Sequence, residues 1–296
     1  MPFTSFLDYL NLEKNYSKHT LIAYHKDLEG FREFASFEFD FSEINNVSYA
    51  IIRSWIVKLV NDGVSNNTIN RKISSLRTYY KFLLKVGDID VSPLAKHKVL
   101  KTAKTLQVPF SEKEIENVLE MLKEENSFVG LRNKLIVELF YSTGMRRAEL
   151  INLKLNDISY SQKTIKVLGK RNKERIIPLL PSVLNTIISY LDYRKSLSSI
   201  KDVHYLLLTK KGANIYETLV YRVINNYFSK ASEKVKKSPH ILRHSFATHL
   251  LNEGADIKSV KELLGHSSLA STQIYANNSI SKLKQVYKNA HPRNSK

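Results

Sequence analysis

Apolar residues recur at helical spacing along most of this chain, and that periodicity limits its fold more than any other feature. In the first hundred residues it predicts four helices, which begin near Phe3, Thr20, Tyr49 and Asn67. The third helix is expected to end just before Gly63, because a glycine commonly closes a helix. This end of the chain is therefore expected to form an all-helical domain.

A stretch without a clean period follows at residues 91–109, where two prolines stand among several lysines. Such a composition is typical of a linker. After it, Ser111 and Glu114 have the spacing of a capping box, which marks the start of a new helix. The sequence therefore predicts an N-terminal helical domain, a linker and a C-terminal domain, at residues 1–97, 98–109 and 110–296.

One part of the C-terminal domain departs from helical spacing. Residues 164–168 and 175–179 are rich in β-branched side chains and flank a polar turn, which predicts a β-hairpin. A third strand is expected at Tyr205–Thr209. The predicted fold class is mainly α, with an N-terminal four-helix domain and a mostly helical C-terminal domain that carries a small three-stranded antiparallel sheet.

The charge of the chain is strongly positive and unevenly distributed. It has 46 Lys and Arg against 28 Asp and Glu, a net charge of +18. Residues 1–97 hold 12 of the basic and 11 of the acidic side chains, so nearly all of the excess lies C-terminal to them. We interpret this excess as a sign of a nucleic-acid partner rather than of a surface tuned for solubility.

The fourth helix of the N-terminal domain combines an apolar side with a cationic side and contains no acidic residue. Such a face is often only solvated, but it also suits a DNA backbone. The turn of the predicted hairpin is cationic as well. The DNA-binding candidates are Arg71, Lys72, Arg77 and Lys81 on the helix, and Arg171 and Lys173 in the turn.

Three absences bear on where the protein acts. The sequence has no cysteine, no N-terminal secretory pattern and no run of eighteen apolar residues. Without cysteine, neither disulfides nor thiolate metal sites can form. These features predict a cytoplasmic protein without a membrane partner.

Several residues near the C-terminal end are candidates for catalysis. His240 and Arg243 lie three apart on a predicted helix and therefore project from the same face. His266 follows Gly265, which is expected to end the next helix, and Tyr275 comes nine residues later. Taken singly, each is more often a packing or hydrogen-bonding residue than a catalytic one.

A metal site is the alternative use of the histidines at 240, 244 and 266. The close pair lacks the intervening Glu of a zinc-protease helix, and no carboxylate cluster accompanies it. We therefore expect neither a metal nor another cofactor.

A further cationic site is predicted upstream, where Gly144 ends a helix and Arg146 starts the next one. Helix N-termini attract anions, and an arginine beside one could clamp a phosphodiester at two points. Glu149 can brace an arginine from the same helical face. Arg147 is the alternative phosphate ligand, although the register with Glu149 favours Arg146.

Taken together, these residues resemble the tyrosine recombinases, or phage integrase family, over nearly the whole chain. The motifs that carry the resemblance are Arg146 in TGMRRAEL, Lys170 in GKRNKER, His240 and Arg243 in HILRH, His266 in LLGH and Tyr275 in TQIY. Any one motif is weak, whereas all six in this order are highly specific. Within the family, the chain looks most like the XerC/XerD type, which resolves bacterial chromosome dimers.

The resemblance implies an enzyme that breaks and rejoins DNA strands without metal or ATP. Tyr275 would attack phosphorus and form a 3′-phosphotyrosyl link. The other implied roles are phosphate binding by Arg146, Arg243 and His266, general base catalysis by His240 and general acid catalysis by Lys170.

The resemblance also implies partners. The N-terminal domain would be a core-binding, SAM-like domain that clamps double-stranded DNA together with the catalytic domain. Four protomers would join two sites, as a homotetramer or with a paralogous recombinase. A dif-like site, a nucleoid-associated location and a DNA translocase of the FtsK type complete the implied setting.

The C-terminal stretch 280–296 carries Leu283, Val286 and Tyr287 on one face. It could dock into a neighbouring protomer or cap its own domain, and the resemblance favours the neighbour.

Three other functions are open at this point. A mobile-element integrase or invertase would share all the catalytic residues and differ in its target site. A type IB topoisomerase-like enzyme would not be expected to carry this N-terminal domain. A non-catalytic DNA-binding regulator would leave the six catalytic positions unexplained.

Overall fold

A computed structural model of the chain describes residues 3–41, 43–102, 107–169, 173–234, 236–265, 287 and 290–294. The chain divides into two compact units, residues 1–105 and 106–296, here called the first and second units. Among the helices in these ranges, none is both long and apolar enough to span a bilayer.

The first unit consists of the four predicted helices. They are α1 (Thr4–Asp8, continued by a π-helical turn over Tyr9–Glu13), α2 (Lys18–Phe39), α3 (Tyr49–Asn61) and α4 (Asn66–Val86). Hydroxyl caps fix two of the starts, since Ser17 and Ser65 each accept a backbone N–H three residues on. The helical spacing of apolar residues predicts Leu84 on the buried side of α4, but this residue lies on the exposed side.

The second unit is built around α6, which is buried along most of its length and packs against α5, α8 and α10. Its helices are α5 (Glu112–Lys123), α6 (Phe128–Thr143), α7 (Arg147–Ile151), α8 (Pro181–Lys195), α9 (Glu217–Ala231), α10 (Pro239–Asn252) and α11 (Ile257–Leu264). The predicted capping box at Ser111 and Glu114 is present. Asp256 caps α11 as well, accepting from the backbone N–H groups of Lys258 and Ser259.

The sheet has three antiparallel strands in the order β1 (Ile158–Ser159), β2 (Thr164–Leu168) and β3 (Glu174–Pro178). The predicted hairpin is confirmed, with Ile165 opposite Ile177. The predicted position of the third strand is wrong. Residues 206–208 are three leucines in succession that are all buried, so the alternation of a half-exposed strand is absent. Their backbone hydrogen bonds run to Leu153, Ile215 and the hydroxyl of Tyr190 instead of to the sheet.

The last described residues fold back onto the second unit. Tyr287 is buried and donates from its hydroxyl to the carbonyl of Ser142 at 2.7 Å, while Arg293 pairs with Glu138. For Tyr287, the structure shows the alternative of capping its own domain, because its side chain fills the core of its own unit. Leu283 and Val286 lie outside the described residues.

The turn after α6 joins three helices of the second unit. Gly144 closes α6 in the left-handed region, with φ of 59°. A Cβ at this position would lie 2.4 Å from the ring of Phe246 on α10 and 2.9 Å from Leu264 on α11. Only glycine allows the ends of these helices to approach so closely.

Substitution of Gly144 by Ala tests this packing, with Gly254→Ala as the matched control. Both glycines have positive φ, but a Cβ at Gly254 meets nothing within 4 Å. Backbone strain should cost about 1 kcal/mol in either variant, and overpacking should add about 2 kcal/mol for Gly144→Ala. Thermal unfolding followed by circular dichroism should place Gly144→Ala roughly 5 °C below the control. Equal melting temperatures would contradict the close approach.

Candidate active site

Arg146 stands at the N-terminal end of α7 and is held there by Glu149. Its backbone N–H donates to Glu149 Oε2 at 2.7 Å, and its Nη1 donates to Oε1 at 2.8 Å. Nη2 donates to the carbonyl of Gly265 at 3.4 Å. The sequence placed Glu149 as the brace of Arg146, and the structure has this contact.

Arg243 lies on α10 and is buried. Its Nη1 donates to the carbonyl of Gly144, and its Nη2 donates to that of Leu264 at 2.6 Å. Burial, followed by the nearby charge of Arg146, lowers the pKa of Arg243 from 12.5 to about 10. The guanidinium therefore stays charged at neutral pH.

A third arginine, Arg175 on β3, was missed as a functional residue by the sequence analysis. Its Nη1 and Nη2 donate to the two carboxylate oxygens of Glu149 at 3.0 and 2.7 Å, and its Nε donates to the carbonyl of Leu263 at 2.9 Å. A signal was available, since strand alternation puts Arg175 on the same face as the buried Ile177. An arginine on a core-facing position requires a buried acceptor.

Arg146, Arg175 and Arg243, with Glu149, form what we call the arginine cluster. All three guanidiniums donate to carbonyls at the end of α11, in residues 263–265. Carbonyls at a helix C-terminus lack helical partners and carry the negative end of the helix dipole, so they favour cations. The fold thereby gathers three positive charges from three separate segments of the chain.

Glu149 balances part of this charge. Burial alone would raise the pKa of its carboxyl, but hydrogen bonds from Arg175 and from the backbone and side chain of Arg146 outweigh it, and the pKa falls from 4.5 to about 2. With Glu149 ionised, the arginine cluster keeps a net charge of +2. A site with that excess is suited to an anion such as phosphate.

One pocket brings together three of the sequence-predicted residues, Arg146, His240 and Arg243. His240 is exposed at the start of α10. Arg147 and Tyr221 also line the pocket, and Tyr221 was not anticipated. Arg147 forms an ion pair with Glu217 on α9 at 2.6 Å, whereas Arg146 belongs to the arginine cluster.

The remaining candidates for catalysis, Lys170, His266 and Tyr275, lie outside the described residues, as does Arg171. Their neighbours in sequence are described. Lys170 follows Gly169, and His266 follows Gly265, whose carbonyl accepts from Arg146.

Comparison with protein-family models gives two matches. The model of the Phage integrase family matches residues 109–282, and the model described as Phage integrase, N-terminal SAM-like domain matches residues 3–87. The chain belongs to this family, the tyrosine recombinases. The resemblance read from its motifs and the predicted fold class are confirmed.

Full-length relatives support the same assignment. Tyrosine recombinase XerC of Staphylococcus carnosus (strain TM300) is 39% identical over 292 residues, covering 99% of this chain and 97% of that protein. XerC of Oceanobacillus iheyensis is 36% identical over 292 residues, covering 98% and 95%.

Solved structures share the fold. XerH site-specific recombinase bound to a palindromic difH substrate, in a post-cleavage complex, has a TM-score of 0.71 at 23% identity and covers 95% of this chain and 79% of its own. The Tn1549 transposon integrase with circular intermediate DNA has a TM-score of 0.69 at 20% identity, covering 97% and 94%.

The first unit of the recombinase holds four of the DNA-binding candidates on α4. The buried carboxylate of Asp27 on α2 accepts from both Nη atoms of Arg71, from Lys72 Nζ at 3.3 Å and from Ser75 Oγ at 2.8 Å. Arg71 nevertheless keeps half of its side-chain surface exposed. The helix has no acid of its own, but the fold supplies one.

The other cationic candidates are less constrained. Arg77 donates to the carbonyl of His97 at 3.5 Å, while Lys81 and Lys173 are exposed. Within the described part of the chain, no three His, Asp or Glu side chains are grouped so that they could hold a metal ion.

Substitution of Glu149 by Gln tests the charge balance of the arginine cluster. A carboxyl whose pKa is lowered by folding stabilises the protein above its ordinary pKa and loses that contribution as pH falls through the lowered value. A shift from 4.5 to about 2 corresponds to about 3 kcal/mol. Urea unfolding should therefore show the wild type more stable by about that amount at pH 7, with the difference shrinking from pH 5 towards pH 2.

The matched control is Glu120→Gln, which removes an exposed carboxylate paired with Lys123. Its unfolding curve should stay superimposed on that of the wild type. A difference for Glu149→Gln that is independent of pH would contradict the lowered pKa.

Proposed function

We propose that this recombinase cleaves and rejoins DNA through a 3′-phosphotyrosyl intermediate on Tyr275, at a dif-like site, and so resolves chromosome dimers. The proposal rests on one observation, that the side chains of Arg146, His240 and Arg243 line the same pocket. Both arginines donate hydrogen bonds to carbonyls at the end of α11. The segment that follows in the sequence contains His266 and Tyr275.

Charge neutralisation is the main task of the pocket in this mechanism. When a nucleophile attacks a phosphodiester, negative charge develops on the non-bridging oxygens, and fixed cations stabilise it. Arg146 and Arg243 would bind these oxygens, with a hydrogen bond from His266. We assign this role to Arg146 rather than to Arg147, since Arg146 is hydrogen-bonded to the end of α11 next to Arg243, whereas Arg147 is paired with Glu217 on α9.

Proton transfer accounts for the other assignments. A free phenol has a pKa of about 10, so Tyr275 needs a base or a cationic site to lose its proton. His240 would take that proton as the O–P bond to Tyr275 forms, and Lys170 would protonate the 5′-oxygen as its bond to phosphorus breaks. The covalent link conserves the energy of the broken bond, so rejoining needs neither ATP nor a metal.

The preference for chromosome-dimer resolution over mobile-element integration rests on relatedness. Full-length relatives at 36–39% identity are named XerC, whereas the transposon integrase is 20% identical and shares the fold alone. The catalytic residues would be the same in both functions, and the target site would differ.

Related recombinases support an assembly on DNA. XerH was solved with a difH substrate, and lambda integrase was solved as a tetramer on a Holliday junction. We propose that four protomers of this recombinase, alone or with a paralogue, join two duplexes. A translocase of the FtsK type would activate them in the nucleoid.

DNA contacts are proposed for both domains, taken as residues 1–97 and 110–296 with a linker over 98–109. The contacts on the first domain would come from the cationic face of α4, and those on the second from the hairpin turn. The residues are Arg71, Lys72, Arg77, Lys81, Arg171 and Lys173.

Nicked suicide duplexes that carry a candidate dif-like site test the proposal. Wild type incubated without metal should form a covalent protein–DNA adduct on denaturing gels, and Tyr275→Phe should form none while still binding the duplex. A metal-dependent adduct, or one that survives in Tyr275→Phe, would overturn the assigned chemistry. Parallel reactions run with and without a paralogous recombinase would distinguish a homotetramer from a heterotetramer.

A further inference from the structure

We propose that Arg175 is a positioning residue for strand cleavage, which occupies Glu149 so that the charge of Arg146 remains available to the scissile phosphate. The inference rests on the proposed function, in which Arg146 binds that phosphate. Arg175 itself would not touch DNA.

The geometry of the two arginines around Glu149 is unequal. Arg175 binds both carboxylate oxygens with two roughly parallel hydrogen bonds, the strongest arrangement for this pair. The side chain of Arg146 makes only one hydrogen bond to this carboxylate, at Oε1. Arg175 is 11% exposed, whereas Arg146 is 39% exposed and lines the pocket. The less exposed arginine, Arg175, therefore makes two side-chain hydrogen bonds to the carboxylate, and the accessible one, Arg146, makes one.

Removal of Arg175 would change what Arg146 does. Glu149 is 4% exposed, and a buried carboxylate must be satisfied by neighbouring donors. The guanidinium of Arg146 already donates to Glu149, and it would move to form a two-point pair with this carboxylate. Its charge would then be cancelled, and its donors would no longer face the pocket.

Packing keeps Arg175 in this place. Its Nε bond to Leu263 ties β3 to the end of α11. A Cβ on Gly265 would lie 3.2 Å from Arg175 Cδ, and a Cβ on Gly169 would lie 3.4 Å from its Nη1. The guanidinium thus fills the space between the turn after α11 and the base of the hairpin turn.

The test separates an electrostatic role from a merely structural one by changing the substrate. In a methylphosphonate at the scissile position, an uncharged methyl group replaces one non-bridging oxygen. Cleavage of such a suicide duplex therefore needs less cationic stabilisation than cleavage of the phosphate duplex. Single-turnover adduct formation would be measured on both duplexes with wild type, Arg175→Gln, Glu149→Gln and the double variant. Arg194→Gln is the matched control, because Arg194 also has little exposed surface and donates to main-chain carbonyls, those of Val203 and Tyr205.

On the phosphate duplex, Arg175→Gln should slow adduct formation by about 100-fold, since the loss of one fixed donor to a developing oxyanion costs about that much or more. On the methylphosphonate duplex the same variant should fall within about 3-fold of wild type. Any slowing by Arg194→Gln should be equal on both substrates, because it acts through stability alone.

The double variant guards against a folding defect in Arg175→Gln, because it removes the buried carboxylate together with its partner. It should cleave the phosphate duplex at the rate of Glu149→Gln, as expected if Arg175 acts only through that carboxylate. Equal slowing of Arg175→Gln on both duplexes, or a double variant slower than Glu149→Gln by the full factor of Arg175→Gln, would overturn the inference. If wild type formed no Tyr275-dependent adduct on either duplex, the proposed function itself would fail.

Discussion

The catalytic half of this recombinase depends on one interaction, the binding of three guanidinium groups by the carbonyl end of α11. The carbonyls of residues 263–265 each accept a hydrogen bond from one arginine of the cluster. Because those arginines come from α7, β3 and α10, the helix end fixes the relative positions of all three elements. Because Gly144 has no Cβ, the end of α6 can approach α10 and α11 as closely as this arrangement requires.

Burying like charges side by side is unfavourable unless acceptors surround them. Here the acceptors are main-chain carbonyls, which bind the guanidiniums without cancelling their formal charge, and a single carboxylate, Glu149. The described part of the site therefore remains cationic, and protein groups hold its arginines in place. Fixed charges that need no rearrangement are the most effective stabilisers of a developing anion.

The sequence was sufficient where the controlling contacts are local. The capping box of Ser111 and Glu114, the stop of α6 at Gly144 and the bracing of Arg146 by Glu149 all involve residues within a few positions of one another. Contacts between distant segments produce no recognisable spacing in the sequence. The pairs of Glu149 with Arg175 and of Asp27 with Arg71 were therefore seen only in the structure. The misplaced third strand has a related cause, since a fully buried run of leucines has no period that distinguishes a strand from a buried loop.

The central claim, that Arg146 and Arg243 of the arginine cluster bind the scissile phosphate, is tested most directly by the crystal structure of the Tyr275→Phe variant bound to an intact duplex. Non-bridging oxygens of the scissile phosphate should lie about 3 Å from the guanidiniums of Arg146 and Arg243. Glu149 should still bind Arg175, and Arg147 should still bind Glu217. A scissile phosphate held by Arg147, or one placed away from the end of α11, would contradict it.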